Sequence, residues 1–297
     1  MAQTYRFGLL GHPVAHSLSP VMHAASFRAL GIEAEYVCLD VPPEALAEQL
    51  AACRREGFTG LNLTVPHKEA AVPLMDRLDR SARLFGAVNT VRFTPHGLTG
   101  FNTDAEGFLA DLALGCHTAP LGRSMLILGC GGAGRALAIA CVNAGAADVL
   151  LANRTFEKAE RLAEDIRRVL PDTATRVEAL PSDTGVWTER CRSVDVAVQC
   201  TPAGLHEGDA PALPPEAFRP GQLLYDIVYT SRVTPTMRAA LASGADAVNG
   251  AGMLVYQGAA AFSLWTGQTA DVAAMRAALE ARIYAAGAPG TAAATEK

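Results

Sequence analysis

At 297 residues the chain is long enough for two domains with well-buried cores, and half of its residues are apolar. Its net charge of −5 comes without basic clusters, which argues against binding to nucleic acid. No apolar run approaches the roughly 18 residues of a membrane span, and the first residues lack the basic and apolar regions of a signal peptide. We therefore expect no membrane partner.

The seven cysteines are odd in number and form no C-x-x-C pair. They are Cys38, Cys53, Cys116, Cys130, Cys141, Cys191 and Cys200. Several lie in apolar runs, where cysteine packs as a small hydrophobic residue. This pattern predicts a reducing, cytoplasmic location with neither a disulfide framework nor a metal site.

The first third of the chain alternates between predicted strands and helices, which indicates a small α/β domain. Strands are expected at 5–10, 35–39, 60–65 and 86–91, and helices at 20–30, 43–56, 74–84 and 105–114. A hairpin is expected around residues 95–97, where proline and glycine flank a histidine.

Polar residues stand at a helix start and a strand exit of this region. Ser19 followed by Pro20 is typical of a helix N-cap, which accounts for Ser19 but leaves Ser17 unexplained. Thr64 and Lys68 lie at the exit of the third strand, and open α/β sheets place binding groups at such exits.

Two strand-like segments then carry Asn-Thr pairs. Asn89 and Asn102 fit ordinary turn chemistry. Asp104 fits the N-cap of the helix that follows it as well as a binding carboxylate. The residues alone leave both possibilities open.

A strand-length apolar run leads into Gly129-Cys130-Gly131-Gly132-Ala133-Gly134 and then into an apolar helical run. The glycines match G-x-G-x-x-G, the pattern that allows a tight turn, close approach of a pyrophosphate, and close packing of helix on strand. The helix N-terminus offers free N–H groups to phosphate. An ordinary glycine-rich turn is the alternative for the motif alone.

A second apolar strand, 148–152, ends at Asn153-Arg154-Thr155, roughly 20 residues past the glycines. An acidic residue there would bind the ribose hydroxyls of NAD, but Arg154 occupies the position and Lys158 follows one helical turn later. Two cations suit the 2′-phosphate of NADP. A solvated basic helix face is the alternative.

The rest of the chain continues the alternation, which implies a parallel, doubly wound sheet. We expect helix 156–169, strands 176–180, 195–200 and 223–228, a proline-rich loop at 207–220, and helices 253–265 and 270–284. Thr201 follows one of these strands and is expected to form a wall beside the cofactor.

These residues resemble the shikimate dehydrogenase family. The matching segments are His16-Ser17-Leu18-Ser19-Pro20, Asn62-Leu63-Thr64-Val65-Pro66-His67-Lys68, Gly86-Ala87-Val88-Asn89-Thr90, Gly100-Phe101-Asn102-Thr103-Asp104, Gly129-Cys130-Gly131-Gly132-Ala133, Asn153-Arg154-Thr155, Gly250-Ala251-Gly252-Met253-Leu254 and Gln257 through Trp265-Thr266-Gly267. They follow the family's order across most of the chain. Chance does not readily produce all of them in this order.

The resemblance implies an α/β fold of two domains with the active site in the cleft between them. Residues 1–104 would form the substrate-binding domain, completed by C-terminal helices within 253–285. Residues 105–252 would form a Rossmann-type domain that binds NADP. The small and polar residues of 286–297 separately predict a flexible tail.

The resemblance also implies the roles of individual residues. Those expected to hold the substrate carboxylate or its surroundings are Ser17, Ser19, Thr64 and Tyr229. Those expected around the ring hydroxyls and the reacting carbon are Lys68, Asn89, Asp104 and Gln257. The cofactor-binding residues would be Gly129, Cys130, Gly131, Gly132, Ala133, Asn153, Arg154, Thr155, Lys158, Thr201, Ile227 and Gly250.

The implied activity is the reversible NADPH-dependent reduction of 3-dehydroshikimate to shikimate in aromatic amino-acid and chorismate biosynthesis. The reaction needs a hydride and a proton for the developing alkoxide. Lys68 is suited to supply that proton and to stabilise the charge. Asp104 would orient Lys68 and a substrate hydroxyl.

Some positions depart from the family's pattern. Cys130 replaces a usual alanine and Leu63 a common valine, two small changes. Residues 230–232 stand where the family often has a proline, and Arg80 where many members carry an acidic residue. A quinate/shikimate dehydrogenase or catabolic paralogue is therefore the alternative function.

A non-catalytic NADP-binding sensor is a third hypothesis, from a different functional class. Lys68 and Asp104 argue against it because a sensor needs no proton donor. We expect a small-molecule substrate and a chain that acts as a monomer or homodimer.

Overall fold

The computed structural model describes residues 5–15, 17–206 and 208–285, so the predicted tail at 286–297 lies outside the described residues. The strands form two six-stranded sheets. The first sheet comes from the N-terminal third of the chain, and the second begins after residue 123.

The first sheet is mixed, with order β2-β1-β3-β5-β6-β4. Its strands are β1 (Tyr5–Gly11), β2 (Ala34–Asp40), β3 (Gly60–Leu63), β4 (Arg77–Leu78), β5 (Thr90–Thr94) and β6 (Gly97–Phe101). The helices of this region are α1 (Ser19–Ala29), α2 (Leu46–Arg55), α3 (His67–Ala70) and α4 (Arg80–Phe85). Strand β1 pairs in parallel with β2 and β3, whereas β5 runs antiparallel to both of its neighbours.

The second sheet is parallel throughout, with order β12-β11-β10-β7-β8-β9. Its strands are β7 (Ser124–Leu128), β8 (Asp148–Ala152), β9 (Arg176–Ala179), β10 (Val196–Gln199), β11 (Leu223–Asp226) and β12 (Asp246–Asn249). Helices α6 (Gly132–Asn143), α7 (Phe156–Val169), α8 (Thr184–Arg192) and α9 (Pro235–Ala242) connect them. This order is that of a doubly wound Rossmann sheet, which confirms the predicted α/β fold class.

Strand β7 explains why the sequence before the glycines is an unbroken apolar run. Met125 and Ile127 pack into the cluster that covers one face of the sheet, and Leu126 and Leu128 into the cluster on the other. All four side chains are buried. A parallel strand covered by helices on both faces has no polar side to present.

The C-terminal helices return to the first sheet. Helix α5 (Asp104–Leu114) packs along α10 (Ala251–Thr266), and α11 (Val272–Ala285) packs on α1 and α10. Phe7 of β1 shares one buried cluster with Phe262 and Trp265 of α10. Sequence-distant helices thereby complete the core beside the N-terminal sheet.

One predicted helix, 74–84, is wrong over its first half. Residues 72–74 form a 3-10 turn, β4 follows at Arg77–Leu78, and α4 begins only at Arg80. The side chain of Asp79 accepts a hydrogen bond from Ser81 N at 2.7 Å and so caps α4. This cap sets the start of the helix, so α4 begins at Arg80 and not at residue 74.

Other differences concern short elements. Helices α8 and α9 and the edge strand β12 are short and lie outside the predicted elements, and residues 86–89 precede β5 rather than belonging to a strand. The remaining predicted elements are present with shifted ends. Among the described residues, no helix is both long and apolar enough to cross a membrane.

Candidate active site

A cavity of about 510 Å³ lies between the two sheets and draws its walls from both. The substrate-site residues predicted from the sequence all line it: Ser17, Ser19, Thr64, Lys68, Asn89, Asp104, Tyr229 and Gln257. Ala133, Ile227 and Gly250, predicted to bind the cofactor, line its opposite side. We call this the cleft cavity.

The serines at the start of α1 lie at one end of the cleft cavity. Ser17 Oγ accepts a hydrogen bond from Ser19 N at 3.2 Å and donates to Ser19 Oγ at 3.2 Å. Ser19 is the first helical residue and Leu18 the N-cap, so the predicted capping role of Ser19 is wrong. Two hydroxyls at a helix N-terminus, where the helix dipole is positive, suit an anionic group such as a carboxylate.

Lys68 and Asp104 form an ion pair within the cleft cavity. Lys68 Nζ donates to Asp104 Oδ2 at 2.6 Å, and their side chains are 30% and 12% exposed. Lys68 lies on α3 directly after His67, a buried residue whose Nε2 contacts the Val41 carbonyl oxygen at 2.8 Å. Because the His67 side chain is buried and bonded, the neighbouring Lys68 is held at the cavity wall.

Asp104 is the first residue of α5, and Thr103 is the N-cap, with no side-chain capping bond. The N-cap interpretation of Asp104 is therefore wrong. Its Oδ1 instead accepts from Asn89 Nδ2 at 2.9 Å, while Oδ2 accepts from Lys68. Each carboxylate oxygen has a donor, which restricts the rotation of the group.

Asn89 organises the residues around this carboxylate. Its Nδ2 also lies 3.0 Å from Thr103 Oγ1 and 3.4 Å from Gln257 Oε1, and its Oδ1 accepts from Thr103 N at 2.8 Å. Asn102 Oδ1 accepts from Asp104 N at 3.1 Å, a bond within its own turn, and its Nδ2 donates to the Ala87 carbonyl at 3.1 Å. The turn interpretation thus fits Asn102, whereas Asn89 joins β5, α5 and α10.

Thr64 and Tyr229 bring neutral hydroxyl groups to the cleft cavity. Thr64 N donates to the Leu10 carbonyl at 2.9 Å, and a side chain at Gly11 would collide with the Thr64 methyl group. Burial raises the pKa of Tyr229, which keeps its hydroxyl protonated and able to donate.

Asn62 and Tyr36 also support the site and were missed in the sequence. Asn62 lines the cleft cavity and donates to the Asn89 carbonyl at 3.2 Å and to Thr90 Oγ1 at 3.1 Å. Tyr36 OH in turn donates to Asn62 Oδ1 at 2.8 Å. An asparagine between two leucines in a buried strand was the available signal, since buried amides need partners.

A second cavity, of about 630 Å³, lies at the carboxyl ends of β7, β8 and β10. Predicted cofactor residues that line it are Gly129, Gly131, Asn153, Arg154, Lys158 and Thr201. It lies where the strand order of the second sheet reverses, the usual ligand position in such folds. We call it the nucleotide cavity.

The glycines have the geometry that a dinucleotide requires. Gly129 has φ +96°, which favours glycine, and a side chain at Gly134 would collide with the Gly129 carbonyl oxygen. A Cβ atom at Gly131 would meet nothing within 4 Å. Open space therefore faces the N-terminus of α6, and the residues present fit a pyrophosphate there.

Cys130, Gly132 and Thr155, the other predicted cofactor residues, are next to lining residues in the chain but do not line either cavity themselves. Asn153 Oδ1 accepts from Cys130 N at 3.1 Å, and its Nδ2 donates to the Thr155 carbonyl at 2.9 Å, which ties the glycine turn to the Arg154 segment. Gly132 begins α6. Burial raises the pKa of Cys130 to about 12, so this departure from the family pattern adds a neutral thiol.

Three family models match the chain. A shikimate dehydrogenase substrate-binding domain matches residues 9–91, a shikimate/quinate 5-dehydrogenase model matches 112–201, and a shikimate 5′-dehydrogenase C-terminal domain matches 250–280. An NADP⁺ shikimate dehydrogenase of Rubrobacter xylanophilus is 46% identical over 93% of this chain and 96% of the relative. The chain belongs to the shikimate dehydrogenase family.

Two further members of the shikimate dehydrogenase family are similar to this chain over almost its whole length. A Methanopyrus kandleri NADP⁺ shikimate dehydrogenase is 43% identical over 94% of this chain and 96% of its own length. The solved shikimate 5-dehydrogenase of Thermus thermophilus, in complex with NADP(H) and shikimate, superposes with a TM-score of 0.83. It is 42% identical and covers 94% of this chain and 99% of the solved chain.

Within the described residues, no group of three or more His, Cys, Asp or Glu side chains could hold a metal ion. The family members named above carry NADP in their descriptions. The seven cysteines all lie among the described residues and are free thiols.

Proposed function

We propose that this protein catalyses the reversible NADPH-dependent reduction of 3-dehydroshikimate to shikimate. The observation that carries the proposal is the Lys68–Asp104 pair, 2.6 Å apart, in a cavity that also reaches the nucleotide-binding sheet. Relatives that cover almost the whole chain have the same activity in their names. The enzyme would belong to aromatic amino-acid biosynthesis.

Lys68 is proposed as the proton donor. NADPH, when bound, supplies the hydride to the carbonyl carbon. As the carbonyl oxygen gains negative charge, Lys68 Nζ stabilises it and transfers a proton to it, so that the C=O group becomes CH–OH. In the oxidation direction the hydroxyl proton returns to Lys68.

Asp104 is proposed to hold Lys68 in position. Its second oxygen is already bonded to Asn89, so the carboxylate cannot rotate away without losing that bond. An oriented ammonium needs no reorganisation as charge develops, which is where such groups gain their catalytic effect. Gln257 and Asn89 stand beside this pair and are proposed to bind the ring hydroxyls.

The substrate carboxylate is proposed to bind at the N-terminus of α1. The hydroxyls of Ser17 and Ser19, with those of Thr64 and Tyr229, offer neutral donors on that side of the cleft cavity. Hydrogen bonds between neutral donors and a charged acceptor are among the stronger ones in proteins.

The proposed cofactor specificity rests on Arg154 and Lys158, which line the nucleotide cavity together. The glycine turn would hold the pyrophosphate and the two cations the 2′-phosphate. We further propose that residues 1–104 with 253–285 form the substrate-binding domain and 105–252 the NADP domain, and that the enzyme is cytoplasmic and acts as a monomer or homodimer.

Oxidation of quinate is the second candidate activity, because one matching family model includes quinate in its description. Steady-state assays with shikimate or quinate, each with NADP⁺ or NAD⁺, separate the two. We expect kcat/KM to be much higher for shikimate with NADP⁺ than for the other combinations. Comparable values for the two acids would favour the quinate/shikimate activity, and no turnover of either would contradict the proposal.

A further inference from the structure

Trp187 lies in the nucleotide cavity although no motif in the sequence points to it. It belongs to α8, in the second turn after the cap formed by Asp183, whose side chain accepts from Gly185 N at 2.7 Å and Val186 N at 3.1 Å. The same cavity is lined by Arg154 and Lys158. An aromatic ring and two cationic side chains therefore line the same cavity.

The indole ring is held in place by its one polar atom. Trp187 Nε1 donates to the Pro181 carbonyl at 2.6 Å, and the ring is partly buried against the apolar cluster of that face. Since this N–H already has an acceptor, what the indole offers to the cavity is its apolar surface. A flat, fixed, apolar surface suits an aromatic ligand group.

The turn that holds Trp187 also holds Arg154. Ser182, next to Pro181, donates through its hydroxyl to the Arg154 carbonyl at 2.7 Å. The position of the indole and that of the Arg154 backbone are thus coupled through two consecutive residues, Pro181 and Ser182. In NADP the 2′-phosphate is carried by the ribose that also carries adenine, so adenine must lie close to any group that binds this phosphate.

We infer that Trp187 is the platform on which the adenine ring of NADP stacks. This inference rests on the proposed use of NADP and adds a specificity-determining residue to it. It predicts that Trp187 contributes to binding of the adenosine half of the cofactor and has no part in the chemistry at Lys68. It also predicts that the fluorescence of Trp187 reports occupancy of the nucleotide cavity.

The chain is well suited to a fluorescence test because it has only two tryptophans. The other, Trp265, is 6% exposed and stacks on Phe7 in the core beside the first sheet. Titration of the full-length protein with adenosine 2′,5′-bisphosphate should quench Trp187 emission. In Trp187→Leu, the remaining Trp265 emission should not respond to the same ligand.

Calorimetry with the same ligand measures the contribution of the ring. Loss of base–aromatic stacking weakens binding by about 5-fold to 150-fold, so Kd should rise at least about fivefold in Trp187→Leu and less in Trp187→Phe, which keeps an aromatic face. Arg154→Ala is the matched control, because it should raise Kd and yet retain full quenching at saturation. Unchanged thermal melting of the ligand-free variants checks that the fold is intact.

The outcomes separate the two proposals. The assignment of Trp187 as the adenine platform is overturned if the wild type binds the bisphosphate without a change in emission, or if Trp187→Leu binds it with unchanged Kd. Either result leaves the proposed use of NADP intact. If the wild type binds neither the bisphosphate nor NADP⁺, both proposals fall.

Discussion

Replacing Lys68 by methionine removes the proposed proton donor and keeps most of the length of the side chain. The change deletes the 2.6 Å bond to Asp104 Oδ2. Asp104 retains its bond to Asn89 at 2.9 Å, and the Lys68 side chain is 30% exposed, so the site need not collapse. We expect a loss of about 1–3 kcal/mol in the free energy of unfolding, the usual effect of leaving one partner unsatisfied.

The effect on the reaction should be much larger than the effect on stability. Loss of a general acid typically costs about a hundredfold to ten-thousandfold in rate, or roughly 3–5 kcal/mol of barrier. The loss should fall on kcat, because the contact with the oxygen strengthens only as its charge develops. The Kd of NADP⁺ should not change, since Arg154, Lys158 and the glycine turn line the other cavity.

The assay is kcat of Lys68→Met at saturating shikimate and NADP⁺, with calorimetric Kd for NADP⁺ and thermal melting as controls. Asp104→Asn keeps the size of the carboxylate and should also lower kcat, with a rise in KM if the residue binds a hydroxyl. The double variant should be little worse than Lys68→Met, because the two residues act as a unit. A kcat within about threefold of wild type, far below a general acid's contribution, would refute the assignment of Lys68.

Three further predictions concern the second sheet. Arg154→Ala should raise the Kd of NADP⁺ by about tenfold to a hundredfold, because it removes a charge-assisted hydrogen bond. The Kd of NAD⁺ should stay nearly unchanged. An equal rise in Kd for both cofactors would make Arg154 a structural residue. Gly134→Ala should lower the melting temperature, because its methyl group would collide with the Gly129 carbonyl. Gly131→Ala faces open space, so it should melt like wild type and weaken NADP⁺ binding. The reverse pattern would contradict the roles assigned to these glycines. Burial raises the pKa of Asp226 from 3.8 to about 6. The folded protein therefore binds a proton at this carboxyl more tightly than the unfolded chain does, and the protonated form stabilises the fold. That contribution to the free energy of unfolding is lost as pH rises through about 6. The free energy of unfolding of Asp226→Asn, measured by denaturant unfolding, should therefore fall less than that of wild type from about pH 4 to about pH 7. Equal falls in the two proteins would argue against the titration of Asp226.

The nucleotide-binding half of the fold could be predicted because its signals are local. An apolar strand, three spaced glycines and an apolar helix follow one another within residues 124–143, and each glycine acts on atoms a few residues away. The absence of an acidic residue at the end of β8, with Arg154 in its place, was likewise readable from spacing alone. Patterns of this kind need no knowledge of the rest of the chain.

The capping roles predicted for Ser19 and Asp104 were wrong, because residue type alone does not show which partner a side chain meets in the folded protein. Serine before proline fits both an N-cap and the first helical position, and the structure puts Ser19 at the latter because Ser17 accepts its backbone N–H. Asp104 is the first residue of α5 and not its N-cap, and its carboxylate accepts from Lys68 and Asn89 instead of the helix N–H groups. A charged partner 36 residues away outcompetes a local backbone bond, and no local pattern contains that partner.

Local sequence patterns do not show which side chains line the cleft cavity; that set came from the family resemblance, and tertiary packing brings its members together. The amide–amide contact of Asn89 and Gln257 joins residues 168 apart, and it exists because α10 returns to pack on α5 beside the first sheet. Trp187 shows the same limit, because only the folded structure shows that its ring lines the same cavity as Arg154. Sequence determined which chemical groups and which local turns the protein has, because these depend on neighbours along the chain. Packing of distant helices determined which of those groups share a cavity, because that depends on surfaces that meet only after folding.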